Sequence, residues 1–259
     1  MKRTDESRIW TSPLEMEHGF LYAEMRERSG FVLPWTYSTA HEERALVEKG
    51  TVLCDLSATG KLRLVGRAVD PVLYGMLDGD FDVLATIGAG MTATLDQDVC
   101  SDRFGDEPSP RLLVLRTGEH EFMMLTRYDQ TSRLHDLLRD YAECGENEDG
   151  LEEGEIFLSD ETDHLAMLCL SGKDAVPVLA EMGQGADDEA RAEISGMGEY
   201  TLGMSRLDTA PVLLLHGPAT NYYLLTPPAH ARGLWRGLLS FEQISPVGYD
   251  VFEFLDLLN

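Results

Sequence analysis

The chain has 259 residues, 43% hydrophobic and 8% aromatic, enough for one large core or two small ones and well above the disordered range. Its 46 acidic residues against 21 basic ones give a formal net charge of −25, which repels phosphate backbones and anionic lipid and so argues against nucleic-acid and membrane partners. Lysine supplies only four of the cations (Lys2, Lys49, Lys61 and Lys173), and a halophilic, salt-adapted surface explains the composition most simply, with an ordinary acidic protein as the alternative.

No apolar run reaches the roughly 18 residues of a membrane span. The opening MKRTDESRIW has a basic pair without the apolar stretch of a secretory signal, so the expectation is a soluble, cytoplasmic protein. Cys54, Cys100, Cys144 and Cys169 form no close pair, and no metal site is expected. Cys54 and Cys169 lie in apolar runs and read as core thiols.

In chain order, STAHEERALVEKG predicts a helix capped by Ser38 or Thr39, with Glu42 and Glu43 in its first turn and Gly50 at its end. His41 reads as solvated at its start. TVLCDL is a strand, SATG a turn, and KLRLVG a strand with alternate apolar positions. RAVDPVLYGMLDGDF has helical spacing with Pro71 confined to the first turn. TATLDQD, RLLVLRTG and EFMMLTR are strands, the last two a hairpin across TGEH. TSRLHDLLRDYAE is an amphipathic helix with Leu134, Leu137, Leu138 and Tyr141 on one face.

The glycine-rich, acidic CGENEDGLEEGE cannot pack and predicts a solvated loop or boundary. Beyond it come a strand (HLAMLCLSG), a helix (KDAVPVLAEM) and short mixed elements in DEARAEISGMGEYTLGMSRLD. PVLLLHG and NYYLLTPP make a hairpin, AHARGLWRGLLSF a helix, and SPVGYDVFEFLDLL closes the chain. The order strand, helix, strands, helix occurs in both halves, which predicts two α+β units with mostly antiparallel sheets and packed helices.

Gly60-Lys61 invites a phosphate-loop reading that fails on spacing: Asp55 stands where the first glycine belongs, Leu62 where the magnesium ligand belongs, and Lys61 opens a strand. A GxSxG elbow is absent, so serine hydrolysis has no anchor. Asp96, Asp98 and Asp102 alternate in DQDVCSDRFGDE without the closing glutamate of a calcium loop, and read as a solvated acidic loop.

The ordered segments carry more. Trp35, the helix from His41 to Gly50, the turn from Asp55 to Lys61, the strand end Val65 to Val69 and the pair Gly79-Asp80 follow one another in a series. HEFMMLTRYDQTSRLHDLL, HLAMLCLSGKDAVPVL, GLWRGLL and SPVGYDVFEFLDLL extend it. This series resembles the folate-binding domain of aminomethyltransferases, the T-proteins of the glycine cleavage system, over most of residues 31 to 257. The resemblance implies one α+β unit inserted in another around a central cleft. Residues 52–142 would be the inserted unit, 1–51 and 155–259 the other, and 143–154 an acidic linker. The family's C-terminal β-barrel finds no counterpart before Asn259.

The resemblance also implies tetrahydrofolate as cofactor, a small-molecule ligand (a folate or another anion) and a partner subunit. At the family's site positions this chain departs. The aspartate that handles the amine falls at Pro110 or Arg111, a tyrosine at Met91, an asparagine at Arg127, and the pterin-binding glutamate at Tyr223. An arginine of the last segment falls near Phe252. A cation cannot replace a carboxylate as proton acceptor. Asp80, Met91, Arg111, Arg127, Arg206 and Tyr223 are the candidate ligand-binding residues, with no catalytic residue assigned. Read without the family, Met91 and Phe252 are core residues, Arg111 and Arg127 solvated strand-end residues, and Asp80 a cap. The expectation is a divergent member without T-protein catalysis, the alternative an active tetrahydrofolate-dependent transferase.

Overall fold

The structure is a computed structural model that describes residues 9–96, 98–99, 109–144, 156–183 and 188–251. Its contacts divide the chain into an outer unit, Met1–Ala58 with Asp163–Leu257, and an inserted unit, Thr59–Thr162.

The outer unit opens with β1 (Trp10–Thr11), α1 (Glu15–Phe20), β2 (Glu24–Arg28), β3 (Phe31–Thr36), α2 (Ala40–Lys49) and β4 (Thr51–Asp55). The inserted unit follows with β5 (Gly60–Val65), α3 (Val69–Met76), β6 (Leu77–Asp78), a 3-10 turn (Phe81–Ala85) and β7 (Gly90–Leu95). It continues through β8 (Arg111–Gly118), β9 (Glu121–Thr126), α4 (Thr131–Cys144) and β10 (Phe157–Asp160). The outer unit resumes with β11 (Ala166–Gly172), α5 (Ala175–Met182), α6 (Asp188–Gly196), β12 (Thr201–Leu207) and β13 (Ala210–His216). It closes with β14 (Asn221–Thr226), α7 (Pro228–Leu239), β15 (Ile244–Val247) and a 3-10 turn (Tyr249–Val251).

The fold is α+β with mostly antiparallel sheets. The inserted sheet, β10-β5-β9-β8-β7-β6, is antiparallel throughout. The main outer sheet, β12-β13-β14-β11-β4-β15, has one parallel pair, β15 with β4. A small outer sheet runs β1-β3-β2. Because side chains alternate across a strand, Leu53, Leu168, Leu170, Leu214 and Leu224 share one core with Leu179, Leu234, Trp235 and Leu238 from the helices. In the inserted unit Leu62, Leu64, Met91, Val114 and Met124 pack with Leu73, Met76, Leu134 and Leu138.

The local signals act as they should. The Thr39 hydroxyl accepts from the Glu42 amide (3.3 Å) and the Glu42 carboxylate accepts from the Thr39 amide (3.1 Å), a reciprocal cap at the start of α2. The Gly50 amide donates to the Leu46 carbonyl (2.8 Å) and ends that helix. Pro71 is the third residue of α3, inside the turn where no intrahelical donor is needed. Cys54 and Cys169 are fully buried and directly opposite one another.

Patterning assigned no element to residues 10–30 or 157–160, yet β1, α1 and β2 lie in the first stretch and β10, which pairs with β5 through Leu158 and Leu64, is the second. Most of CGENEDGLEEGE, and Phe252, lie outside the described residues. Among the described residues no helix is long and apolar enough to cross a membrane.

Candidate functional site

The most polar part of the outer unit's interior is built around Asp55, the last residue of β4, whose side chain is 1% exposed. One carboxylate oxygen accepts from the Ser57 amide (2.9 Å) and the Ser57 hydroxyl (2.6 Å), a local turn that fixes the chain as it leaves the strand. The other accepts from the Ser12 hydroxyl and from Nε2 of His18 (2.8 Å). Ser12 in turn accepts the Leu14 amide (3.0 Å), and Ser57 accepts the Met167 amide (3.2 Å). His18 stands edge-on to Trp235, ring centroids 5.4 Å apart.

Burial alone would raise the Asp55 carboxyl, but the hydrogen bond from His18 and the hydroxyls of Ser12 and Ser57 outweigh it and hold the group below its ordinary range. Asp55 is therefore an ionised acceptor, and Nε2 of His18 carries the proton that it receives. Nδ1 is left to accept from the Tyr37 hydroxyl (2.7 Å). Burial first and the Asp55 charge second push the Tyr37 phenol well up, which keeps that hydroxyl a donor. With a neutral imidazole the chain of donors runs from Tyr37 through His18 to Asp55.

Glu43, also fully buried, completes the interior. One of its oxygens accepts from the amides of Tyr37 (2.5 Å) and Ser38 (3.0 Å), the other from that of Gly248 (2.9 Å). It ties the start of α2 to the segment after β15. With every acceptor occupied and His18 at 0% exposure, these acids hold backbone in place and cannot trade protons with a substrate.

The sequence-derived candidates sit elsewhere. In the inserted unit Asp80 is exposed and caps the 3-10 turn by accepting from the Asp82 amide (3.3 Å). Met91 is 5% exposed and belongs to the core, its Cε 3.1 Å from where a Cβ on Gly79 would stand. Arg111 is exposed at the start of β8, and Arg127 follows the end of β9. The β8–β9 ladder begins at the pair Leu113 and Leu125, two residues in from Arg111 on one strand and from Arg127 on the other. Arg127 already pairs with Asp129 (2.6 Å).

In the outer unit Arg206 is exposed on the edge strand β12. Tyr223 is 0% exposed on β14, opposite Cys169 on one side and Leu215 on the other. Burial raises the Cys169 thiol, opposed in part by a side-chain bond from Tyr223. These positions thus offer two exposed guanidinium groups, each of a kind that holds an oxyanion bidentately, and a phenol packed into a sheet. Among the described residues no three His, Cys, Asp or Glu side chains gather as metal ligands.

Sequence reasoning missed Ser12, His18, Tyr37 and Glu43. The one available signal was Ser12-Pro13, since serine before proline is a common helix start.

No family model matches the chain. It is 24% identical over 231 residues to an aminomethyltransferase of Rubrobacter xylanophilus, covering 88% of this chain and 56% of that protein. An aminomethyltransferase of Exiguobacterium sibiricum is 22% identical over 224 residues, covering 85% and 56%. This chain therefore spans little more than half the length of these curated relatives. Among solved structures, aminomethyltransferase T of the glycine cleavage system from Bartonella henselae superposes with a TM-score of 0.74 at 19% identity, over 93% of this chain and 60% of that one. A chain of the heterotetrameric sarcosine oxidase from Corynebacterium sp. U-96, solved with pyrrole 2-carboxylate, gives 0.51 at 17% identity, over 78% of this chain and 91% of that one.

Proposed function

We propose that this chain, a T-protein-like protein of the aminomethyltransferase family, is a divergent member that holds a small anionic ligand without aminomethyl transfer. The observation that carries the reading is Tyr223, at the position mapped to the family's pterin-binding glutamate. It is completely buried and bonded to the Cys169 thiol.

Tetrahydrofolate is the cofactor that the family implies, and the residues at the mapped positions do not fit it. A pterin ring is recognised by a buried acceptor carboxylate, and a phenol in contact with a thiol cannot supply one. Losing a charged partner of that kind costs about 2–5 kcal/mol, or roughly one and a half to three and a half orders of magnitude in affinity. At the position of the amine-handling acid the chain has Pro110 or Arg111, neither of which accepts a proton at neutral pH. Arg111 and Arg127 favour instead a ligand with a carboxylate or phosphate, which would displace Asp129 from Arg127.

Calorimetry with tetrahydrofolate, citrate and pyrophosphate, run on the parent and on Arg111→Ala and Arg127→Ala, tests this. The expected result is no micromolar folate affinity and an anion response that either substitution weakens. Micromolar tetrahydrofolate binding with methylene transfer from an aminomethyl donor would establish the active transferase instead.

A second reading has its own support. The sarcosine oxidase chain is matched over 91% of its length, so a fold of this kind and similar size serves as one chain of a heterotetramer. On that reading this protein is a subunit of an oxidase assembly. Co-purification in fixed stoichiometry with sarcosine-oxidising activity would support it, and a monodisperse monomer in extracts of the source cells would count against it.

A further inference from the structure

We propose a second binding site in the outer unit, independent of the reading above: a small amphipathic cleft that takes a short-chain alkylammonium. It lies where the turn between β12 and β13 meets α7 and the end of α5, and encloses about 140 Å³. Leu207, Ala210 and Leu234 make an apolar floor, each at most 4% exposed. Asp208, His230 and Gly233 stand at its mouth. A cavity of about 150 Å³ admits benzene, so the volume suits a ligand of about five or six non-hydrogen atoms.

The mouth is fixed. Asp208 takes a left-handed conformation (φ 52°), one that aspartate tolerates better than most residues, and its amide donates to the Met182 carbonyl (2.6 Å). The hairpin turn is thereby tied to the end of α5 with the carboxylate at the rim. Among the described residues neither the Asp208 nor the His230 side chain has a hydrogen-bond or ion-pair partner. A carboxylate and an imidazole above an apolar floor select a cationic donor head with a short hydrocarbon tail.

Gly233 supplies a separate argument. It lies inside α7, where glycine weakens a helix relative to alanine, and no close packing requires it: nothing stands within 4 Å of its Cβ position. What the missing side chain does is leave the cleft open. The chain's net charge of −25 also raises the local concentration of any organic cation.

The test is an NMR titration of the full chain with n-butylammonium, n-butanol and butyrate, in enough salt to screen the general acidic field. Saturable shifts at Asp208, Ala229 and Gly233 are expected, with the ammonium binding about tenfold more tightly than the alcohol and butyrate not at all. Gly233→Leu should abolish these shifts by filling the cleft while keeping or raising the unfolding midpoint. Should that variant fail to fold, Asp208→Asn decides the matter, because it should bring the ammonium's affinity down to that of the alcohol. Shifts scattered over acidic surface residues, equal affinity for ammonium and alcohol, or binding that survives the decisive variant would each overturn the site.

Discussion

Asp55→Asn probes the buried cluster most directly, because it changes charge and donor pattern without changing shape. Four donors converge on the carboxylate: the Ser57 amide and hydroxyl, the Ser12 hydroxyl and Nε2 of His18. Asparagine keeps an oxygen for Ser57 but turns an NH2 toward Ser12 and His18. Ser12 can rotate its hydroxyl away. His18 must move its proton to Nδ1 in order to accept, and Tyr37 then loses the acceptor for its own hydroxyl. Bonds to a charged acceptor contribute about 1.5–3 kcal/mol against about 1 for neutral ones, and burying a neutral amide in place of a charge offsets part of the difference. The net loss should be about 2–4 kcal/mol.

The pH dependence carries a sign. The folded-state pKa of Asp55 lies below its unfolded value of about 3.9, so the stability it contributes is fully present above that value and is lost as pH falls through the folded value. The gap between parent and variant should therefore be widest near neutrality and close progressively below about pH 4. All three tryptophans (Trp10, Trp35 and Trp235) belong to the outer unit, so urea unfolding followed by their fluorescence reads the unit that contains Asp55. Equal midpoints at pH 7, or a gap that stays constant into acid, would show that the cluster does not depend on the charge.

Three further outcomes follow from the same interior and surface. Thr39→Ala removes the acceptor that caps α2 and should lower outer-unit stability by about 1 kcal/mol in the same urea assay. Gly248→Ala would place a Cβ 2.0 Å from the Trp35 carbonyl oxygen, a backbone atom that cannot swing aside. The expected loss is about 3 kcal/mol or more, seen as a collapsed midpoint or insoluble protein, and a soluble variant of parental stability would refute the close approach. If the charge of −25 reflects salt adaptation, the thermal midpoint should climb steeply from dilute buffer into molar potassium chloride, and a flat response would end that explanation.

Much of the fold was legible because its signals are local. The Thr39–Glu42 cap spans three residues, the β8–β9 hairpin closes across Glu119 and His120, and the α4 face needs only the spacing of Leu134, Leu137 and Leu138. The interior cluster was not legible, because its bonds join residues far apart in sequence: Ser12 is 43 and His18 37 positions from Asp55. No periodicity encodes that distance. The segment from Ser12 to His18 must fold back onto the end of β4 for these bonds to form. The six candidates taken from the family had the opposite character. Their chain positions could be aligned, but whether a side chain is buried, like Tyr223, or exposed, like Arg206, depends on sheet order.

The Gly60-Lys61 pair shows how the two kinds of information meet. Spacing alone was enough to reject a phosphate loop, but it could not say why glycine and lysine stand there. A Cβ on Gly60 would fall 2.1 Å from the Thr131 hydroxyl and 2.8 Å from a Thr126 methyl, so the glycine lets the first residue of α4 close onto β5. The Lys61 ammonium is fully buried and donates to the Thr59 carbonyl (2.7 Å), while its amide donates to the Thr162 hydroxyl (3.1 Å). Thr59 and Thr162 are the two ends of the inserted unit. The lysine therefore bonds to both ends of the insertion, and its ammonium lies fully buried inside the protein. A motif that looks like a ligand loop is, in this fold, the clasp that joins the inserted unit's first and last residues.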